Sequence, residues 1–218
     1  HYSDGSPSAL APRQVLKNII KLLDEEQLKA VVAPELEFYL CEQNLDPDLP
    51  LKTPIGKSGR REKGSRVFGI DAVNEFDDLT DDIYDYCEIL KIGVDTLIHE
   101  SGPSQIEINL NHGDPLQLAD QAFMFKRAVR QVALKHGIHA TFMSKPYQGH
   151  PGSSMHIHQN IISKKTNKNL FSDENGNNTE EFFHFIGGLQ TYLPDAMLFF
   201  APYVNSCLLY TSPSPRDS

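Results

Sequence analysis

The chain has 218 residues, 29 acidic against 20 basic side chains, a formal charge of −9 and 39% hydrophobic residues. That length suffices for one large domain or two small ones with a real core. Twenty Phe and Tyr side chains and a mean hydropathy of −0.38 exclude a disordered chain. No apolar run approaches the ~20 residues of a membrane-spanning helix, and an acidic balance without a basic stripe argues against nucleic acid as the main partner.

Pro12 opens a predicted helix in which Val15, Leu16, Ile19, Ile20 and Leu23 recur at helical spacing, ending near Lys29. Val31 to Leu40 switches to period two, with Leu36, Phe38 and Leu40 on one face and Glu35, Glu37 and Tyr39 on the other. Glu42 to Asn74 reads as a long insertion rich in Pro and Gly. Its basic cluster Lys57, Arg60, Arg61, Lys63 and Arg66 is expected to be a solvated loop. A second helix is predicted from Leu79, Ile83, Tyr86 and Leu90. Val94–Glu100 and Gln105–Asn111 then read as two strands joined at Ser101-Gly102-Pro103.

Asp114 is the expected N-cap of a helix that runs to His136 and closes on Gly137. His139–Met143 and Ser153–Ile162 are again strand-like, and Thr179 caps a last apolar helix through Phe182, Phe183, Ile186, Leu189 and Leu193. Strands come in groups and do not strictly alternate with helices. The expected class is therefore α+β, a largely antiparallel sheet with helices packed on its outer face.

The two ends read differently from the body. The opening residues lack a charged segment followed by an apolar one, and Cys41, Cys87 and Cys207 have no CxxC spacing. Both features lead to the expectation of a cytoplasmic protein in a reducing compartment. Cys207 to Asp217 resembles an in-frame translation of a sequencing-library adapter. Residues 207–218 are accordingly read as a non-native tail, and 1–206 as the natural part.

Three strands carry ligand-type side chains on what should be an unremarkable polar face. Glu35 and Glu37 lie about 7 Å apart along the first. Gln105, Glu107, Asn109 and Asn111 share a face of the second, and Ser154, His156, His158 and Asn160 a face of the third, while Glu100 enters the Ser101-Gly102-Pro103 turn. Were these strands neighbours, four carboxylates and two imidazoles would converge on one surface, which is costly unless cations neutralise it. Hard oxygens with a minority of imidazole suit Mg²⁺ or Mn²⁺.

Four segments in order, Ala33-Pro-Glu-Leu-Glu-Phe-Tyr-Leu40, Glu100-Ser-Gly-Pro-Ser-Gln-Ile-Glu-Ile-Asn109, Ala140-Thr-Phe-Met-Ser-Lys-Pro146 and Gly152-Ser-Ser-Met-His-Ile-His158, resemble signature segments of the glutamine synthetase catalytic domain. The wording is similar to the branch that joins glutamate to polyamines, as in γ-glutamylputrescine synthetase. The resemblance implies an ATP-dependent ligase that forms an amide between the γ-carboxylate of glutamate and ammonia or an amine, by way of a γ-glutamyl phosphate. It implies Glu37, Glu100 and Glu107 as ligands of a first metal, and Glu35 and His156 as ligands of a second. Asp95, His158 and Asn160 are implied near the nucleotide, Gly152 near glutamate, and a homo-oligomeric ring as the assembly.

Pro151, Ser154 and Asn160 depart from the residues common in the family, which puts glutamate and nucleotide contacts in question but leaves the metal ligands intact. The resemblance also implies a β-rich N-terminal domain and a C-terminal part outside residues 1–206, so the 218 residues alone are not expected to turn over. Two other classes compete. One is a catalytically inactive structural or binding relative, which has no reason to keep five ligands. The other is a metal-dependent hydrolase, for which no HExxH or Ser-His-Asp pattern is present.

Overall fold

The computed structural model describes residues 2–64 and 67–206. Arg66, Cys207 and the expected tail 207–218 lie outside the described residues. The elements in chain order are α1 (Pro12–Glu25), β1 (Leu28–Glu42), α2 (Ile70–Asn74), α3 (Asp77–Ile89), β2 (Val94–His99), β3 (Gln105–Leu110), α4 (Pro115–Lys135), β4 (Ile138–Thr141), β5 (Met155–Ser163) and α5 (Glu180–Phe200). The sheet runs β2-β3-β1-β4, with β5 pairing β1 off that path. Its β2–β3, β3–β1 and β1–β4 ladders are antiparallel, so the expected α+β class with a largely antiparallel sheet holds.

The chain divides into two compact units. The larger takes the described residues of Pro34–Asn111, Ala122–His156 and Ala201–Ser218. Its core is the apolar face read from the alternation. Leu36, Phe38 and Leu40 of β1 are buried with Ile106, Ile108 and Leu110 of β3 and with Phe125, Val129 and Val132 of α4. Phe38 meets Phe125 edge-on at 6.5 Å between ring centroids and Phe142 at 5.2 Å. Burial of each such side chain is worth about 1.5–3 kcal/mol, which fixes β1 against α4 and thereby fixes where the opposite face of β1 points.

The second unit takes the described residues of His1–Ala33, His112–Gln121 and Ile157–Phe200. There Arg13 forks onto Asp120 at 2.9 and 2.8 Å, Val32 bridges Gly113, and Phe171 stacks with Phe182 and Phe185. Asp114 Oδ1 accepts the N–H of Gln117 and Thr179 Oγ1 that of Phe182, so both expected caps form.

Three expectations change. Helix α1 stops at Glu25 and not near Lys29, because Gln27 adopts φ +60° and turns the chain into β1 at Leu28. In α3 the buried stripe is Leu79, Thr80, Ile83 and Cys87. Tyr86 and Leu90, expected on it, are 41% and 40% exposed, because a strict four-residue step from Leu79 leads to Cys87. The 42–74 insertion is also more ordered than a plain solvated loop. It contains α2 and an Ile55–Arg61 bridge, and Arg61 pairs with Glu42.

Candidate metal centre

The polar face of the larger unit is built by two ladders. Antiparallel pairing places Glu35 opposite Asn109 and Glu37 directly opposite Glu107. At the start of the third strand, the backbone N–H of Glu37 donates to the carbonyl of Ser154 at 3.1 Å, which brings in His156. The His156 Nδ1 lies 3.4 Å from Glu35 Oε2 and 3.9 Å from Glu37 Oε1. Single ligand atoms of Glu35, Glu107 and His156 all fall within 4.8 Å of one another. This group takes Glu35 and His156 from one implied ligand set and Glu107 from the other.

Unlike the polar face of an ordinary surface strand, this one is largely shut off from water. Glu37, Glu100, Gln105 and Glu107 are buried, whereas Glu35 is half-buried and His156 half-exposed. Burial, reinforced by the charges of Glu35, Glu100 and Glu37, pushes the Glu107 carboxyl up to about 7, against a partial opposing pull from a hydrogen bond with Asn109. Burial also raises Glu37, with Glu100 adding to the rise, while hydrogen bonds from Ser154 and the nearby His156 pull it back. Carboxyls pushed upward in this way are strained acceptors that a cation would relieve.

Neighbouring donors hold these carboxylates in place. Gln105 Nε2 donates to Glu37 Oε2 at 3.0 Å and to the Gly152 carbonyl at 2.8 Å, while its Oε1 accepts the Gly102 N–H at 2.8 Å. Ser154 donates twice to Glu37, from its N–H at 3.2 Å and its hydroxyl at 3.1 Å. The hydroxyl of Ser154, one of the departures noted above, therefore acts as an added clamp on Glu37. Ser101 N–H donates to Glu100 Oε2 at 3.1 Å. Tyr39 donates to the carbonyl of Pro151 at 2.8 Å, so that residue contributes through its backbone.

The donor set fits a hard divalent cation. Oxygen donors dominate, imidazole supplies a minority, and the buried Oδ1 of Asn109, opposite Glu35, has no hydrogen-bond partner among the described residues. Of the remaining expected site residues, Gly152 is joined to Glu37 through Gln105. Asp95 is exposed and is the extra residue of a bulge between Val94 and Thr96, outside the Glu35, Glu107 and His156 group. His158 and Asn160 belong to the second unit, both exposed on β5, and Asn160 accepts from Asn169 at 3.0 Å.

Sequence reasoning overlooked the contacts of Tyr39 and Ser154, and those of Glu62, whose carboxylate accepts the Ser104 N–H and faces His99 Nε2. Tyr39 shares a face with Glu35 and Glu37, and Ser154 with His156, a signal that was available. Glu62, lying between Arg61 and Lys63, was hidden in a basic run.

The "Glutamine synthetase, catalytic domain" family matches residues 9–210 of this chain. The chain belongs to the glutamine synthetase family. It is 39% identical over 207 residues to the γ-glutamylputrescine synthetase PuuA of Escherichia coli (strain K12), covering 93% of this chain and 43% of that protein. It is 36% identical over 205 residues to a glutamine synthetase of Pyrococcus abyssi, covering 94% of this chain and 44% of that protein. Among solved structures, ligand-free GmaS superimposes with a TM-score of 0.80 at 27% identity over 95% of this chain and 47% of its own. The Plasmodium falciparum glutamine synthetase shares the fold, with a TM-score of 0.80 at 23% identity over 95% of this chain and 45% of its own. The family resemblance drawn from the four ordered segments is thus borne out. The chain spans less than half the length of these relatives.

Proposed function

We propose that the complete protein is an ATP-dependent carbon–nitrogen ligase joining the γ-carboxylate of glutamate to ammonia or a larger amine. Glu37, Glu100 and Glu107 would hold one divalent cation, and Glu35 and His156 would contribute to a second. Asp95, His158 and Asn160 are assigned to the nucleotide and Gly152 to glutamate. The observation that carries this reading is the buried opposition of Glu37 and Glu107 beside Glu35 and His156. A sheet face built at such electrostatic cost is accounted for by a cation-binding role.

The chemistry must bring two anions together. The γ-carboxylate attacks the γ-phosphorus of ATP, forming a γ-glutamyl phosphate and releasing ADP. The amine nitrogen then attacks the acyl carbon, phosphate leaves, and the nitrogen loses a proton to give the amide. Mg²⁺ or Mn²⁺, held by Glu35, Glu37, Glu100, Glu107 and His156, would supply neutralisation of the anionic charge. The residues of this chain supply preorganisation: Gln105 and Ser154 hold Glu37 in one orientation, and burial keeps water from diluting the local field. The family relationship also supports a homo-oligomeric ring and a cytoplasmic location. No helix among the described residues is long and apolar enough to cross a membrane.

Similarity to both PuuA and glutamine synthetases leaves ammonia and polyamines as the two acceptors to compare. Phosphate release by the complete protein with glutamate, ATP and Mg²⁺ or Mn²⁺ tests the proposal across ammonium, putrescine and simple alkylamines. The expected result is amine-dependent release that Glu107→Ala abolishes. Release independent of glutamate, or unaffected by that substitution, would refute the proposal.

A further inference from the structure

From the insertion between β1 and α2, the Glu62 side chain reaches the β2–β3 hairpin that carries Glu100 and Glu107. Glu62 is 87% buried by its side-chain area, the side chain being 13% exposed. Its Oε2 accepts the backbone N–H of Ser104 at 2.6 Å and lies 3.0 Å from His99 Nε2. The other ring nitrogen, Nδ1, lies 2.8 Å from the carbonyl of Glu100; a carbonyl only accepts, so Nδ1 carries the proton. A continuous chain of contacts therefore runs from the Glu62 carboxylate through the His99 ring to the backbone of Glu100.

Both ends of this chain are tethered. On the loop side, Thr53 Oγ1 donates to the Glu62 carbonyl at 3.3 Å, and Arg61 pairs with Glu42 on β1. On the hairpin side, Phe68 N–H donates to the His99 carbonyl at 3.0 Å and Glu100 N–H to the Gln105 carbonyl at 2.9 Å. Ser104 itself adopts φ +58°, a left-handed conformation that a residue with a Cβ keeps only when its surroundings enforce it. The carboxylate on its N–H is such an enforcement.

We infer that Glu62 is a positioning residue for the metal centre: it fixes the β2–β3 turn and, through His99, the backbone that carries Glu100. This inference rests on Glu100 being a ligand, as proposed above. Groups that orient metal ligands from behind typically contribute about 10–100-fold to metal affinity.

The test is Mn²⁺ titration of the complete protein and its Glu62→Ala, Glu62→Asp and Glu62→Gln variants, read by the electron paramagnetic resonance of free Mn²⁺. Thermal unfolding is followed in parallel to keep every titration well below the midpoint. Glu62→Ala and Glu62→Asp, which lack an acceptor at the right reach, are expected to weaken binding about tenfold. Glu62→Gln, which keeps an acceptor for Ser104 N–H, should recover most of that loss. A residue important for folding alone would lower the midpoint and leave the affinity of the folded protein unchanged, and that result would overturn the inference. Should Glu62→Ala not fold, Glu62→Asp decides by the same criterion. If the unsubstituted protein binds no Mn²⁺, the metal-centre reading itself fails, an outcome distinct from equal binding by all four proteins.

Discussion

Glu37 of β1 and Glu107 of β3 stand directly opposite each other in an antiparallel ladder, both buried. Like charges in that relationship destabilise a sheet. Glu107→Gln should therefore raise the unfolding midpoint of the metal-free protein at pH 8 while weakening Mn²⁺ binding. Thermal unfolding in EDTA beside a metal titration measures both. Stabilisation with loss of binding is the expected pair, and it distinguishes a binding site from a structural polar network, in which the same change would destabilise.

The raised Glu107 carboxyl gives a pH dependence of known sign. Its folded value of about 7 lies above its ordinary 4.5, so between those pH values the metal-free folded protein holds a proton that the unfolded chain has released. This contribution to stability is fully present below 4.5 and is lost as pH rises through about 7. Metal binding follows the opposite course, because a ligand must be deprotonated. Affinity should rise by up to about tenfold per pH unit below 7 and level off above it. Mn²⁺ titrations from pH 5.5 to 8.5 check the second statement, and denaturant unfolding in EDTA over pH 4.5–8 the first.

Ser154 lowers the Glu37 carboxyl through two hydrogen bonds, against the upward push of burial. Ser154→Ala removes the hydroxyl donor and leaves the backbone donor. Glu37 should then titrate at a higher pH, with metal affinity a few-fold weaker near neutrality and restored at alkaline pH. Carbon-13 NMR of the Glu37 carboxyl in metal-free protein reads the first effect directly.

Gly102 permits the turn between β2 and β3 to approach β1. A Cβ at that position would lie 1.8 Å from the Tyr39 hydroxyl, whose hydrogen bond goes to the Pro151 carbonyl. Tyr39 is fully buried and cannot swing aside. Gly102→Ala should cost about 1–3 kcal/mol through overpacking, measured by denaturant unfolding. Tyr39→Phe, which removes the hydroxyl donor from the Pro151 carbonyl, should also destabilise, by about 1 kcal/mol.

Period two in Val31–Leu40 and Gln105–Asn111 made both faces of the central ladder legible, because each strand is apolar on one side and bears ligand-type residues on the other. Single-strand alternation could not show that the polar side would be buried as well. That follows from pairing of Glu37 with Glu107 and from the cover supplied by Gln105, Ser153 and Ser154, all long-range events. Glu62 was illegible for a related reason. Its neighbours Arg61 and Lys63 make the local composition look solvated, while its partners His99 and Ser104 lie 37 and 42 residues away. The end of α1 was misplaced because Gln27 takes a left-handed conformation usually given to Gly or Asn.

The central claim is that one sheet face, built from the buried Glu37, Glu100 and Glu107 with Glu35 and His156 beside them, holds divalent cations. Anomalous X-ray diffraction from crystals of the complete protein soaked in Mn²⁺ tests it most directly. The account predicts an anomalous peak within bonding distance of Glu37, Glu100 and Glu107 carboxylate oxygens, and a second that includes Glu35 and His156. Peaks confined to other carboxylates, or none at this face at saturating Mn²⁺ and pH 8, would contradict it.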